Sequence, residues 1–304
     1  MRNASLLLAL LAGAAFVATP ALADSTTTAT DIIATDMNAA ITTAADATVA
    51  STAQASDQST AAPAAVPAAP SAFTITGTAG VWSQYRYRGI SQSNNRPAFQ
   101  GSITVAHASG FYLATWGSTA TTSNSTVNIG GAEIDVYGGY THAIGSTGFT
   151  FDGGLYGYIY PGAPASNYYE VYGSLTKTYG PFTAKGGLNW APDQSVFDPV
   201  QGTHYNMYVY GELGFSLPTL PVSFHSHLGH SGGGFNYTKD YVDYSVGVTY
   251  KWKVLSFDLS WVDTNISRQD ARLRPLFDQT GTPNPEETYR AAKGVLVGSV
   301  SASF

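Results

Sequence analysis

The chain has 304 residues, with 14 Lys and Arg against 20 Asp and Glu, a formal net charge of −6 and no cysteine. Only 11% of the residues are charged while 13% are aromatic, including 20 Tyr, and there are 32 Gly; soluble domains average about 25% charged residues. The acidic balance argues against a nucleic-acid partner, and the missing cysteines exclude disulfides and thiolate metal sites.

Arg2 supplies a small positive charge ahead of an apolar run from Leu6 to Val17. That run is shorter than the roughly 20 residues a spanning helix needs. Ala21-Leu22-Ala23 follows with small-x-small spacing, so residues 1–23 read as a signal peptide cleaved near Ala23, before Asp24. Residues 24–71 are almost wholly Ala, Thr, Ser, Asp and Pro, ending in the run from Ala61 to Pro70. Such a composition cannot bury enough apolar area to offset the entropy of ordering, which predicts a disordered periplasmic leader.

From residue 72 to Phe304 the texture changes to period-2 alternation with no helical segment read between. Phe73, Ile75, Gly77, Ala79, Val81, Ser83, Tyr85 and Tyr87 share one face of a first strand running to Arg88. Later strands show the same pattern, as in Ile134, Val136, Gly138 and Tyr140, or Leu255, Phe257, Leu259 and Trp261. The third strand, near Phe111 to Gly117, is ambiguous, and the ninth, with Val222, Phe224 and Leu228, reads as short. About 12 strands result, each close to the ~9–11 residues of a tilted membrane-crossing strand. The expectation is an all-β, membrane-spanning, antiparallel up-and-down β-barrel, with lipid as its solvent.

The connections alternate between short and long. Short ones fall at 107–110, 142–148, 179–181, 216–221 and 250–254; long ones at 89–96, 118–131, 161–167, 191–203, 229–240 and 263–293. Outer-membrane barrels place short turns in the periplasm and longer loops outside, which fits a bacterial outer-membrane location. The chain ends on Phe304, behind Leu296, Gly298, Val300 and Ala302. That residue is a candidate signal for the outer-membrane barrel assembly machinery.

The stretch from Val81 to Ser93, followed by 97–101 (Pro-Ala-Phe-Gln-Gly) and 107–112 (His-Ala-Ser-Gly-Phe-Tyr), resembles the TorF family of porins. Weaker echoes are 133–140, 152–158 with Tyr160 and Pro161, and 258–264; together they cover about Gly77 to Phe304. The resemblance implies an outer-membrane location and a pore, with no particular solute.

Alternation assigns Arg86, Arg88, Glu133, Asp135, Asp152, Glu170, Lys185, Glu212, Asp243 and Asp258 to the lumen as pore-lining residues. Seven carboxylates against three bases suggest a cation preference; the bland alternative is that the acids pair with the bases and with Tyr hydroxyls and brace the Tyr-rich wall. Arg86 and Arg88 would then pair with Glu133 or Asp135. Tyr140, Trp190, Tyr250 and Trp261 suit interfacial girdles. His204, His225, His227 and His230 raise a metal site or a Ser–His hydrolase with Ser223 or Ser226, but lumen polarity is the default reading. Neither a catalytic site nor a cofactor nor a metal is expected. The favoured function is passive passage of small hydrophilic solutes or ions, with the charged 263–293 loop as an inward gate. The rivals are a lipase-like outer-membrane enzyme and a closed structural or adhesive barrel.

Overall fold

The computed structural model describes residues 71–121, 129–197, 203–235, 238–276 and 282–304. The expected signal peptide, and the leader except its last residue, lie outside the described residues.

Twelve long strands form the wall: β1 (Phe73–Trp82), β4 (Ala98–His107), β5 (Phe111–Thr119), β6 (Ala132–Ala143), β7 (Phe149–Ile159), β8 (Tyr168–Tyr179), β9 (Phe182–Ala191), β10 (Asn206–Ser216), β11 (Val222–Gly233), β12 (Tyr241–Trp252), β13 (Leu255–Thr264) and β14 (Val295–Ser303). Two short strands, β2 (Arg86–Tyr87) and β3 (Ile90–Ser91), pair only with each other. The long strands close into one antiparallel barrel in chain order, with β1 hydrogen-bonded to both β4 and β14. The seam is completed by Phe304, whose N–H donates to the Gly77 carbonyl at 3.0 Å while the Gly77 N–H donates to Phe304 at 2.9 Å. Closure leaves no sheet edge, which hydrocarbon would not tolerate.

The pleat sorts side chains by solvent. Ile75, Leu155, Val246 and Leu259 point outward and are 67%, 60%, 58% and 51% exposed. The alternate positions hold Ser, Thr, Tyr and charged residues that are buried in the interior. Apolar outside and polar inside is the inverse of a soluble domain, and it makes this a membrane-spanning barrel.

Four readings change here, one of them by resolving a strand the sequence left open. The first strand stops at Trp82, six residues before Arg88, because the Ser83 N–H donates to the Gly298 carbonyl at 2.8 Å and Ser83 Oγ accepts from the Gly298 N–H at 3.0 Å. The chain then turns inward, so Tyr85 is buried and Tyr87 mostly so, neither facing lipid. The ambiguous third strand resolves as β5, with Phe111 and Leu113 out and Tyr112 and Ala114 in. The ninth is a full 12 residues, because a Gly/Ser-rich end that reads as loop continues the ladder through Asn206↔Gly233. The fourth concerns the last long connection, which contains two helices, α1 (Arg268–Leu273) and α2 (Pro285–Ala292). Ser267 and Asp270 make a capping box at α1, and Asn284 caps α2 ahead of Pro285; both start signals were legible.

Replacing Val246, central in β12 and facing out, by Arg places a guanidinium near mid-bilayer. The expected loss is about 2–4 kcal/mol, read from denaturant unfolding of the barrel refolded in phospholipid vesicles.

Candidate functional site

The interior is not an empty bore. After Trp82 the chain folds in as a hairpin, β2 and β3, held by the Gln92 N–H donating to the Tyr85 carbonyl and the Tyr85 N–H donating to Ser93 Oγ, both at 2.9 Å. Its two-residue tip, Arg88 (φ 47°) and Gly89 (φ 78°), lies in the left-handed region at both positions, as a type I′ turn requires. A Cβ at Gly89 would sit 2.6 Å from Thr264 Cγ2 and 2.8 Å from Asp243 Cβ, so the tip presses against the β12–β13 wall.

Arg88 crosses toward the other wall. Its Nη2 donates to both carboxylate oxygens of Glu170, at 2.9 and 2.7 Å, with both side chains shielded from solvent. The guanidinium lies over the rings of Tyr87 and Tyr208, at 4.7 and 4.2 Å from their centroids. Glu170 also accepts from Tyr158 Oη and Asn189 Nδ2, each at 3.0 Å. A buried charge persists only when paired and hydrogen-bonded in this way. Arg86 stays at the base of the hairpin, donating to Gln84 Oε1 and to the carbonyls of Gly89 and Lys293.

The remaining expected lumen residues line the same interior in two groups. On β6 and β7 the carboxylates are held by tyrosines: Glu133 by Tyr85 at 2.9 Å and Tyr160 at 3.3 Å, Asp135 by Tyr156 at 3.0 Å, and Asp152 by Tyr112 at 2.8 Å. On β9 to β13 they are held by bases. Lys185 and His227 both flank Glu212 in register, His227 Nε2 lies 3.1 Å from Asp243, and His225 Nε2 lies 2.7 Å from Asp258. Thr249 and Ser260 also donate to Asp258, at 2.7 and 2.6 Å. Tyr208 Oη, in contact with Asp243 and His227, ties this group to the ring under Arg88. The expected pairing of Arg86 and Arg88 with Glu133 or Asp135 is therefore corrected. The inward turn carries Arg88 past those residues to Glu170, and tyrosines occupy the two acids instead.

Tyr hydroxyls were expected as alternative partners of the lumen acids; the stacking of the rings on one another was not. Tyr137 and Tyr156 stack with centroids 4.4 Å apart, and Tyr158 and Tyr168 at 4.2 Å. Phe197 and Phe235, from two other long loops, pack on this cluster. Tyr on the inward positions of β7 (Tyr156, Tyr158) and of β8 (Tyr168, Tyr172, flanking Glu170) was the available signal.

The described part of the 263–293 connection, from Thr264 to Leu276 and from 282 to Lys293, packs on the hairpin as a lid. Ile90 of the hairpin packs with Tyr241, Ile266, Ala291 and Ala292. Hairpin 83–97 enters the lumen, and the loop expected as an inward gate packs on it through Ile266 and α2. Lys239 anchors the lid to Asp270 at 2.7 Å.

The histidines divide by face. His225 and His227 point inward and meet carboxylates, His230 is exposed, and His204 lies 3.5 Å from Asp193. Among the described residues no three His or carboxylate side chains converge as a metal site.

Fold and interior define a membrane-spanning β-barrel with an inserted hairpin. The profile of the family Gcw_chp, described as a bacterial protein of unknown function, matches residues 65–284, and the chain belongs to that family. A comparison with curated proteins finds no match. Among solved structures, the NanC porin is similar at 10% identity and TM-score 0.47, covering 76% of this chain and 99% of that one. An outer membrane channel of Pseudomonas putida F1 is similar at 10% identity and TM-score 0.42, covering 80% and 99%.

Glu170→Gln leaves the Arg88 cation buried without its counter-charge. The expected cost is about 3–5 kcal/mol in denaturant unfolding, with the double replacement Arg88→Leu, Glu170→Leu costing less than the two single changes added together. Asp270 offers a pH test. Burial pushes its carboxyl up, but the hydrogen bonds from Lys239 and Ser267 and the nearby Lys239 charge together outweigh it and hold the carboxyl down at about 2. A folded value below the unfolded one means that its contribution is complete above about pH 4 and is lost as pH falls through 2. Asp270→Asn should accelerate proteolysis within residues 264–294 at pH 7, where the native carboxylate is ionised.

Proposed function

We propose that the chain is an outer-membrane channel for small hydrophilic solutes or ions, narrowed by the 83–97 hairpin. The observation that carries this reading is a closed 12-strand wall, apolar outside, with charges from β6 through β13 directed inward. About 12 strands enclose less bore than the 16–18 of open porins, and the hairpin takes up part of what remains. The resemblance of residues 81–93 to the TorF porins agrees with this, as do an export signal over 1–23 and a leader over 24–71. Phe304, placed at the closure seam, is the proposed signal to the assembly machinery.

The ten lumen residues are the proposed pore lining, with the preference set by what pairing leaves over. Arg88 balances Glu170, and Lys185, His225 and His227 face Glu212, Asp243 and Asp258. Glu133 and Asp135 are held by neutral tyrosines alone among the hydrogen bonds named above. A weak cation preference follows. An enzymatic reading has no equivalent support: His225 Nε2 is engaged by Asp258, and His227 by Glu212 and Asp243.

One observation favours a closed structural barrel instead, namely the tight packing of Tyr, Phe and hairpin side chains in the interior. Purified protein in planar bilayers separates the two. The channel reading expects discrete current steps and, in a salt gradient, a reversal potential on the cation side. A silent membrane would sink the channel, and an anion-sided potential would overturn the preference.

A further inference from the structure

Where hairpin and lid meet at the loop-bearing end, they enclose an open cavity of about 590 Å3 lined by Asn94, Arg96, Arg268, Asn284, Glu286, Glu287, Tyr289, Arg290 and Lys293. Four of these nine are cations and two are carboxylates, a local excess of two positive charges in a chain whose net charge is −6. Both carboxylates are already engaged. Glu286 accepts from Arg268 at 2.6 Å, and Glu287 takes Arg290 at 3.2 Å and Asn284 at 3.0 Å. The excess therefore resides on Arg96 and Lys293, which are exposed and come from opposite sides of the cavity: one follows the hairpin, the other ends α2.

The cavity is built rather than accidental. Asn94 and Asn95, both in the left-handed region at φ 54° and 55°, turn the hairpin exit toward α2. There Asn94 accepts from Arg290, and Asn95 Nδ2 donates to the Arg290 carbonyl at 3.1 Å. The Arg86 guanidinium, with the Asp263 carboxylate nearby, donates to the Lys293 carbonyl at 3.0 Å, which fixes the backbone carrying Lys293. Holding like charges together is unfavourable unless an anion joins them.

We propose that this pocket binds a phosphate-bearing ligand that bridges Arg96 of the hairpin and Lys293 of the lid. A phosphate monoester carries about −1.5 to −2 charges at pH 7, which matches the excess, and its oxygens suit a guanidinium fork on one side and an ammonium on the other. Asn94, Asn284 and Tyr289 supply neutral hydrogen-bonding groups for whatever bears the phosphate. The shared chemistry can come from a soluble phosphorylated compound or from a lipid headgroup in the surrounding leaflet.

The test uses the full barrel refolded in phosphatidylcholine vesicles and titrated calorimetrically with inorganic phosphate at low salt. Saturable binding is expected. Arg96→Gln with Lys293→Gln should weaken it at least tenfold, whereas Lys251→Gln with Lys253→Gln, an equal charge change at the β12–β13 turn, should leave it unchanged. Heat-modifiable migration on a gel checks that both variants are folded. Repeating the titration in vesicles containing phosphatidic acid separates the sources. Loss of free-phosphate binding there identifies a headgroup ligand, and unchanged binding a soluble one. Absence of saturable binding in phosphatidylcholine, or binding indifferent to the Arg96 and Lys293 changes, would overturn the proposal.

Discussion

A sheet that closes on itself in hydrocarbon has one place for its charges, and that is the inside. Everything else in this structure follows from that constraint. The outer positions of twelve strands become Val, Ile, Leu and Phe, because an unpaired polar group there costs free energy that lipid cannot return. The inner positions receive most of the charges the strands carry, with Lys177 and Asp263, both near strand ends, on the outward face. In so narrow a cylinder those charges lie close enough to one another that each has to find a partner, as Glu170, Glu212, Asp243 and Asp258 do among basic side chains and Glu133 and Asp135 do among tyrosines.

The hairpin at 83–97 is the second consequence. A barrel wall crowded with tyrosines and carboxylates offers a site for a guanidinium, and Arg88 supplies it from the tip of an inserted turn. Its contacts reach Glu170 on β8 and Tyr208 on β10, while the neighbouring Gly89 lies against β12 and β13. One residue thereby links opposite sides of the interior. The lid of α1 and α2 completes the arrangement by burying Ile90 from above. Narrowing therefore comes from the first long connection, with the last one covering it.

The wall was legible in the sequence because period-2 alternation and loop length report directly on the pleat and on sidedness. Phe99, Ile103, Ile134, Val136 and Leu259 all face out as alternation requires. The hairpin was not legible, for a physical reason. Tyr85 and Tyr87 continue the alternation of β1 without a break, and an Arg-Gly tip lacks the Asn-Gly or Asp-Gly signature of a type I′ turn. Only a tertiary event, the bonding of Ser83 to Gly298, ends the strand. Likewise, alternation placed Glu133, Asp135 and Glu170 inside but carried no information on which partner each would meet. Pairing depends on stagger between strands distant in sequence, as with Arg88 and Glu170, 82 residues apart. The helices were a different kind of miss. Ser267 with Asp270 and Asn284 with Pro285 are start signals that a search for strands passed over.

The most direct measurement of the account is the unit conductance of a chain in which residues 84–95 are replaced by a short Gly/Ser linker, compared with the native chain in the same planar bilayer. If the hairpin is what narrows a polar lumen, the shortened chain passes a current several times larger per channel while the barrel still migrates as folded. Equal conductance in the two chains, with both barrels intact, would contradict it.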